Sequence, residues 1–261
     1  MADDLRADKL SVILIARDEE DRLPRALSSV AFAGEIVVVV DSASTDRTET
    51  IARGAGARVV MSAFDGFGRQ KNRALEAATR PWVLSLDADE AVSPALQREI
   101  CGLLRGEPRF PAYRIPIQLE FMGRVLRHGR DTVVRPVRLF MKSQARFSED
   151  PVHERLVFDG SAGSLRGTVF HRSYRDLSHY LEKLDRYTTL AALAKRQRGK
   201  TISRAALPFR VLWEFFDRTF LRFAFLDGIP GLTYAALSSA STYFRYVKLL
   251  ELAERKERDS G

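Results

Sequence analysis

The sequence contains a single cysteine, Cys101, in 261 residues, so no disulfide can form within the chain. One thiol fits a reducing compartment and excludes the small secreted domains that disulfides hold together. The first residues lack the basic stretch and following apolar stretch that mark a signal peptide. The segment closest to a membrane span, Gly228 to Phe244, contains a proline and several serines and threonines, so we predict no transmembrane helix.

Internal repeats, low-complexity tracts and recognised RNA- or DNA-binding motifs are also absent from the sequence. Hydrophobic residues make up 45% of the chain, which is enough to form a core. The net charge of +8 at pH 7 favours an anionic partner, and a basic composition without such a partner is the alternative. We therefore expect a phosphate-rich ligand or an acidic membrane face, and no nucleic acid.

Short apolar runs rich in β-branched residues predict four buried strands: Leu10 to Ala16, Glu35 to Val40, Ala57 to Met61 and Trp82 to Leu86. Helical patterns alternate with these strands: Asp18 to Val30, Asp46 to Gly54, Gly68 to Ala78 and Pro94 to Leu104. This alternation predicts a parallel, doubly wound sheet, in which ligands bind at the carboxyl ends of the strands.

After Leu104, prolines punctuate short apolar runs, which predicts a mixed or antiparallel continuation of the sheet. A helical pattern returns from Leu177 to Arg198. It resumes from Ala205 to Arg255, where Gly228 and Pro230 are expected to divide it into two segments.

Acidic residues directly follow three of the predicted strands: Asp18-Glu19-Glu20, Asp41 and Asp87-Ala88-Asp89-Glu90. Because the ends of parallel strands meet at one edge, these acids should line one crevice. Carboxylate pairs such as Asp87 and Asp89 suit a divalent cation bound together with phosphate oxygens. A solvated turn is the alternative explanation for each acidic loop alone.

Four stretches, ILIARDEEDRL, VVVVDSASTDRT, FDGFGRQKNRAL and WVLSLDADE, resemble in order and spacing the signature stretches of family 2 glycosyltransferases with the GT-A fold. The resemblance is close from Leu10 to Leu104. Three later stretches, PVRLF, VHERL and FLDGIPG, resemble the lipopolysaccharide core β-glucosyltransferase branch and extend the similarity over nearly the whole chain.

The resemblance implies an α/β GT-A fold, with a Rossmann-like, mostly parallel sheet flanked by helices and a C-terminal helical extension. The catalytic domain is expected over residues 1–175, with a nucleotide-binding part at about 8–105 and an acceptor part at about 106–175. Residues 176–261 are expected to form the helical extension, which is membrane-associated or oligomerising.

The resemblance also implies which residues contact the nucleotide sugar. At the position of Asp18 most of the family has Asn. Asp41 would accept a hydrogen bond from the base. Asp87 would lie near the ribose or the metal. The predicted nucleotide-sugar-binding residues are Ala16, Asp18, Glu19, Asp41, Gln70, Lys71, Asp87, Ala88 and Arg138. For Asp41 the alternative is a turn or helix cap. Lys71 and Arg138 have a surface role as the alternative, although a guanidinium group suits a diphosphate.

The predicted metal ligands are Asp89, Asp87 and His171, for Mn²⁺ or Mg²⁺. His171 resembles the late histidine that completes the metal shell in GT-A enzymes, and a structural histidine is its alternative. Inverting transfer needs a base for the acceptor hydroxyl. We assign that role to Glu154, with His153 orienting it or contacting phosphate. An ion pair between Glu154 and Arg155 is the alternative.

The C-terminal third combines a basic cluster, Ala194 to Arg204, with an aromatic segment, Leu207 to Phe225. Arg210, Arg218 and Arg222 recur within that segment, as in an interfacial helix. A helix packed on the catalytic domain or a dimer interface is the alternative.

Together these features predict a metal-dependent, inverting glycosyltransferase that moves a hexose from a nucleotide sugar, with a UDP-sugar favoured, to a lipid-linked saccharide such as the lipopolysaccharide inner core. We expect a cytoplasmic protein, peripheral on the inner membrane, and a homo-oligomer is compatible with the pattern. A polyprenyl-phosphate glycosyltransferase and a non-catalytic, nucleotide-binding membrane scaffold are the two alternatives.

Overall fold

The computed structural model describes residues 6–150 and 154–259, with side chains up to residue 253. The chain divides into two compact units. The first comprises Met1–Gln118 and Val134–His171, and the second comprises Leu119–Val133 and Arg172–Gly261. The predicted boundary at residue 175 lies close to the observed change at 171, but Leu119–Val133, which the prediction left in the acceptor part, groups with the C-terminal helices.

The first unit contains a seven-stranded sheet of β1 (Ala7–Ala16), β2 (Ala33–Asp41), β3 (Arg58–Ser62), β4 (Trp82–Asp87), β6 (Ala112–Arg114), β10 (Val137–Met141) and β13 (Ala162–Ser164), in the order β13-β6-β10-β4-β1-β2-β3. β1 pairs in parallel with β2 and β4, and β2 pairs in parallel with β3. β10 is antiparallel to β4 and β6. The predicted fold class is therefore confirmed, including the mixed continuation after the parallel half.

Shorter strands of the first unit complete the site region: β5 (Glu90–Val92) is antiparallel to β14 (Val169–His171), and β11 (Ala145–Phe147) is antiparallel to β12 (Leu156–Phe158). The helices are α1 (Leu23–Ser29), α2 (Thr48–Gly54), α3 (Phe67–Ala77) and α4 (Pro94–Arg105). Buried side chains cover both faces of β1 and β4: Leu10, Leu14 and Leu84 pack on one face, and Ile13 and Val83 pack on the other. The continuous apolar runs of the sequence therefore mark the strands covered on both sides.

Helix α1 begins at Leu23, five residues after the predicted start at Asp18. Asp18 has a positive φ of 52°, which is not helical. The backbone N–H groups of Glu19 and Glu20 donate to Thr48 Oγ1 and Asp46 Oδ2 instead of entering a helix. The acidic residues that resembled a first helical turn therefore belong to a loop at the edge of the sheet.

The second unit contains the end of β7 (Ile117–Phe121), its hairpin partner β8 (Arg124–Val125) and the first residue of β9 (Val133–Val134). Its helices are α5 (Leu177–Gln197), α6 (Ala206–Phe216) and α7 (Gly228–Asp259). Between α6 and α7 lie a π-helical turn, Asp217–Leu221, and a 3-10 turn, Ala224–Asp227. The predicted break therefore starts before Gly228, and Pro230 lies in the first turn of α7, where a missing N–H costs nothing. Within the described residues, none of the helices has the length and apolar character needed to cross a bilayer.

Gly167, which packs against α4, and Gly102, which lies within α4, provide a stability test. A Cβ at Gly167 would lie 2.3 Å from Leu96 Cα, whereas a Cβ at Gly102 on α4 would meet nothing within 4 Å. Gly167→Ala should lower the free energy of unfolding by about 1–3 kcal/mol because backbone must move. Gly102→Ala should raise it by about 0.5–1 kcal/mol because alanine favours the helix. Urea denaturation measures both, and equal effects would contradict the close packing of Gly167.

Candidate active site

The acidic loops of the first unit start at the same level of the sheet. Ile15 of β1 is in register with Asp87 of β4, and Ala16 is in register with Val40 of β2. Ala16 is buried at the end of β1. The loops that follow β1, β2 and β4 therefore leave three neighbouring strands side by side, which brings the predicted acids to one edge.

Side-chain hydrogen bonds tie the loop after β1 to the loop after β2. Asp18 Oδ1 accepts the Thr45 N–H at 2.9 Å, and the Asp18 N–H donates to Ser44 Oγ at 3.0 Å. The Thr45 N–H lowers the pKa of the Asp18 carboxyl because it favours the ionised form. Asp18 thus links the two loops.

Asp41, at the end of β2, is buried and uses its two carboxylate oxygens differently. Oδ1 accepts the Ala43 N–H at 3.0 Å, which is the turn-capping contact considered as an alternative. Oδ2 lies 3.3 Å from Nη1 of the exposed Arg17. One oxygen of Asp41 is therefore held by the turn, and the other contacts the exposed side chain of Arg17.

Arg138 on β10 is shared by two carboxylates at the end of β4. Its Nη2 lies 3.0 Å from Asp87 Oδ2 and 2.9 Å from Glu90 Oε1, and Glu90 Oε2 accepts the Asp87 N–H at 2.9 Å. Burial alone would raise the pKa of Asp87, but the charges of Arg138 and Lys71 outweigh it and hold that pKa well below its usual range. Burial raises the pKa of Glu90, and Arg138 opposes that rise. One guanidinium group thus balances two adjacent acids.

Asp89 lies in a separate cluster. Its Oδ2 is 3.2 Å from His171 Nε2 and 3.4 Å from Arg22 Nη1, and Arg22 also pairs with Glu19. Burial disfavours the imidazolium, but the hydrogen bond and the charge of Asp89 outweigh it and raise the pKa of His171. The structure therefore separates the two carboxylates of the motif: Asp87 faces Lys71 and Arg138, and Asp89 faces Arg22 and His171. Ala88 between them is buried.

Lys71 on α3 joins Glu154 to the acids of β4. Its side chain is 9% exposed, and Nζ lies 3.0 Å from Glu154 Oε1 and 3.4 Å from Asp87 Oδ1. The ammonium also lies 5.8 Å from the centre of the Phe147 ring. Arg155, the alternative partner of Glu154, instead lies 3.9 Å from Asp150. Lys71 is therefore the ion-pair partner of Glu154. Lys71 is therefore not the surface lysine of the alternative interpretation.

Two further predicted residues differ in their surroundings. Gln70 is buried, and its amide donates to the carbonyl oxygens of Ser62 at 3.3 Å and Ala63 at 2.9 Å, which holds the loop after β3. A nucleotide contact of Gln70 stays a prediction. His153 lies outside the described residues, and its orienting role also stays a prediction.

A family model described as Glycosyl transferase family 2 matches residues 11–128 of this chain. An uncharacterised glycosyltransferase of Rickettsia typhi is 30% identical over 256 residues, which cover 94% of this chain and 88% of that protein. The chain belongs to glycosyl transferase family 2. It is a glycosyltransferase enzyme, and the predicted family is confirmed.

Two further proteins are similar to this glycosyltransferase. The lipopolysaccharide core biosynthesis glycosyltransferase LpsC of Rhizobium meliloti is 28% identical over 251 residues, covering 91% of this chain and 93% of LpsC. The crystal structure of S. aureus TarS 1–349 is 14% identical, with a TM-score of 0.46, and covers 94% of this chain and 91% of that one.

Two of the predicted metal ligands, Asp89 and His171, lie next to each other. Adjacent ligands of an octahedral ion at about 2.1 Å lie about 3.0 Å apart, and Asp89 Oδ2 and His171 Nε2 are separated by 3.2 Å. No group of three or more His, Cys, Asp or Glu side chains able to hold a metal occurs in the part of the chain that the structure describes. Two protein ligands leave the other positions to phosphate oxygens and water, the arrangement that Mg²⁺ commonly adopts.

The sequence analysis expected Glu90 in the crevice but missed two cations of this glycosyltransferase site. Arg17 directly precedes Asp18, and Arg22 is three residues after Glu19. Both are close in sequence to predicted acids, so a search for counter-charges near those acids was the available signal. These cations are needed because closely spaced carboxylates repel each other.

The Arg138 cluster generates a stability prediction. Arg138→Met should lower the free energy of unfolding by about 3–5 kcal/mol, because Glu90, with a side chain only 1% exposed, would lose its counter-charge. Adding Glu90→Gln should recover part of that loss because the buried group becomes neutral. Urea denaturation of the single and double variants measures both changes. A double variant less stable than Arg138→Met would contradict the charge-balancing role.

Proposed function

We propose that this glycosyltransferase moves a hexose from a UDP-sugar, with inversion at the anomeric carbon, to a lipid-linked saccharide such as the lipopolysaccharide inner core. The observation that carries this proposal is the Lys71 ammonium, which lies between Glu154 and Asp87. Through Lys71, a carboxylate able to act as a base is held beside the acids and cations that suit a nucleotide diphosphate. The same edge of the sheet therefore has groups for both substrates.

On the donor side, Asp41 would accept a hydrogen bond from the base, and Asp87 would contact the ribose side of the nucleotide. Lys71 and Arg138 would face the diphosphate, because ammonium and guanidinium groups both bind phosphate well. Their side chains are 9% and 14% exposed, so their charges are screened less than those at the surface. This reduced screening supports a role in holding the charge of the leaving group.

Asp89 and His171 would hold a Mn²⁺ or Mg²⁺ ion, with Asp87 as a further ligand when the diphosphate is present. A divalent ion bound there supplies positive charge that stabilises the leaving diphosphate. His171 must bind such an ion in its neutral form. Arg22 Nη1 lies 3.4 Å from Asp89 Oδ2, and the same guanidinium group pairs with Glu19. Arg22 therefore links Asp89 to Glu19.

On the acceptor side, Glu154 would take the proton of the acceptor hydroxyl. As that oxygen forms its bond to the anomeric carbon, the bond from the anomeric carbon to the UDP oxygen breaks, and UDP leaves with the electron pair. The proton ends on the Glu154 carboxylate. Lys71, 3.0 Å from Oε1, fixes the orientation of that carboxylate, and His153 would assist it.

The saccharide acceptor is supported by the similarity to LpsC over most of both chains. We propose that the enzyme acts at the cytoplasmic face of the inner membrane, where such acceptors are anchored. Incubation of purified enzyme with UDP-hexoses and either lipid A-core or polyprenyl phosphate tests this choice. Transfer to the saccharide is expected, and transfer to polyprenyl phosphate alone would overturn the acceptor assignment.

Asp89→Asn tests the donor and metal site. The affinity for UDP in the presence of Mn²⁺ should fall at least about 10–100-fold, because a ligand of the ion is weakened. The affinity without metal should change little. Isothermal titration calorimetry measures both, with the exposed Asp159→Asn as the matched control. The same Mn²⁺ dependence in Asp89→Asn and the unaltered protein would contradict the assignment.

Glu154→Gln tests the base. The amide can still accept a hydrogen bond from Lys71, so the site keeps its arrangement, but kcat should fall by about 10²–10⁴ because no proton acceptor remains. UDP affinity should stay unchanged. The exposed Glu149→Gln, a nearby glutamate that pairs with Arg69, is the control. Full transfer activity in Glu154→Gln would rule out Glu154 as the base.

A further inference from the structure

The second unit exposes a continuous set of aromatic and aliphatic side chains, named here the aromatic surface: Phe209, Leu212, Trp213, Phe216, Phe220, Leu221, Phe223, Phe225, Leu226 and Ile229. Each is between 42% and 77% exposed. Ring centres are 6.0 Å apart for Trp213–Phe216, 5.2 Å for Phe216–Phe220 and 6.4 Å for Phe220–Phe225. The rings therefore form one patch, which is the kind of exposed apolar area that marks an interaction site.

Helix α6 explains why this surface is not covered by its own unit. Leu207 is buried and Val211 is partly buried, both in a cluster with Tyr246 and Leu249. Phe209 and Trp213 lie on the other side, 77% and 60% exposed. Large apolar side chains on two sides of a helix are normally buried on both sides. The outward side of α6 therefore carries large apolar side chains, as a buried side would, but no described element of its unit packs on it.

Three cations surround one ring beside this helix and form what we name the cationic cluster. Lys195 Nζ, Arg210 Cζ and Arg245 Cζ lie 5.0, 5.0 and 5.7 Å from the centre of the Tyr246 ring. Among the described residues, no carboxylate lies within ion-pair distance of any of the three. Arg245 Nε is buried and has no hydrogen-bond partner. Three positive charges around one ring, without an acidic partner among the described residues, suit an anionic ligand.

The surrounding segment has the same excess charge. Residues 195–229 contain eight basic and three acidic side chains, a net charge of +5. The acids are already used: Glu214 pairs with Arg218 at 2.8 Å, Asp217 with Arg222 at 3.7 Å, and Asp227 accepts two backbone N–H groups. Arg218 is itself buried, contrary to the expectation that it would face headgroups. The segment that carries the aromatic surface therefore has an excess of positive charge.

We propose that the aromatic surface inserts into the headgroup–acyl boundary of an anionic bilayer and that the cationic cluster binds the phosphate of a lipid headgroup. Aromatic side chains and arginines are the residues that interfacial helices use for these two contacts. A second copy of the chain fits less well, because a two-fold interface places each patch against itself and would bring two positively charged segments together. Neither a sugar nor a metal is involved, so the test is independent of the proposed function.

The experiment is flotation of the full-length protein with vesicles of phosphatidylcholine alone and of phosphatidylcholine with phosphatidylglycerol. The protein should bind the anionic vesicles, and Trp213→Ser/Phe216→Ser should weaken that binding at least about tenfold. Lys195→Gln/Arg245→Gln should remove the preference for phosphatidylglycerol. Phe64→Ser, which removes a similarly exposed ring from the first unit, should bind as the unaltered protein does.

Circular dichroism confirms that each variant is folded, and sedimentation velocity reports its mass. Equal vesicle binding by Trp213→Ser/Phe216→Ser and the unaltered protein would overturn insertion of the aromatic surface. A loss of mass in that variant, without vesicle binding by the unaltered protein, would identify the surface as a self-association interface and also overturn the proposal. Release from anionic vesicles by inorganic phosphate at matched ionic strength would show that the cluster prefers free phosphate.

Discussion

Carboxylates gathered at one edge of a sheet repel one another, and the cations between them are what allow the acidic loops of the first unit to lie side by side. Arg17 faces Asp41, Lys71 lies between Asp87 and Glu154, Arg138 lies between Asp87 and Glu90, and Arg22 lies between Glu19 and Asp89. At such distances, unpaired like charges in a partly buried place cost several kcal/mol. The alternation of acids and bases is therefore a structural requirement of the site before it is a chemical one.

The fold makes this alternation possible because the bases come from different elements than the acids. The acids follow β1, β2 and β4, whereas Lys71 comes from α3 and Arg138 from the antiparallel strand β10. Asn72, next to Lys71, exchanges two hydrogen bonds with the backbone of Phe147, at 3.0 and 2.9 Å. That pair fixes α3 against β11 and so limits where the Lys71 ammonium can lie.

The strands that carry the acids were predictable because a strand buried on both faces leaves a continuous apolar run. The pairing of these acids with their counter-charges was harder to predict. Arg138 and Lys71 are 51 and 16 residues from Asp87 in sequence, so their contacts with Asp87 depend on the tertiary fold. The start of α1 was mistaken because acids suit both a first helical turn and a loop held by Thr48. The grouping of Leu119–Val133 with the C-terminal helices had no local pattern at all, because it arises from packing of Phe121 with Tyr180 and Tyr234.

The two units treat positive charge in opposite ways. In the first unit, the cations at the sheet edge have acidic partners at 2.5–3.4 Å, so their charge is balanced within the chain. In the second unit, Lys195, Arg210 and Arg245 lie around the ring of Tyr246 with no acidic partner among the described residues, and cation–π contacts offset little of their mutual repulsion. The one carboxylate of α6, Glu214, pairs with Arg218 and not with this cluster. Repulsion among these cations and exposure of the apolar surface to water both lower the stability of the folded chain by a modest amount. A negatively charged bilayer would relieve both, because it offers anionic headgroups and an apolar interior.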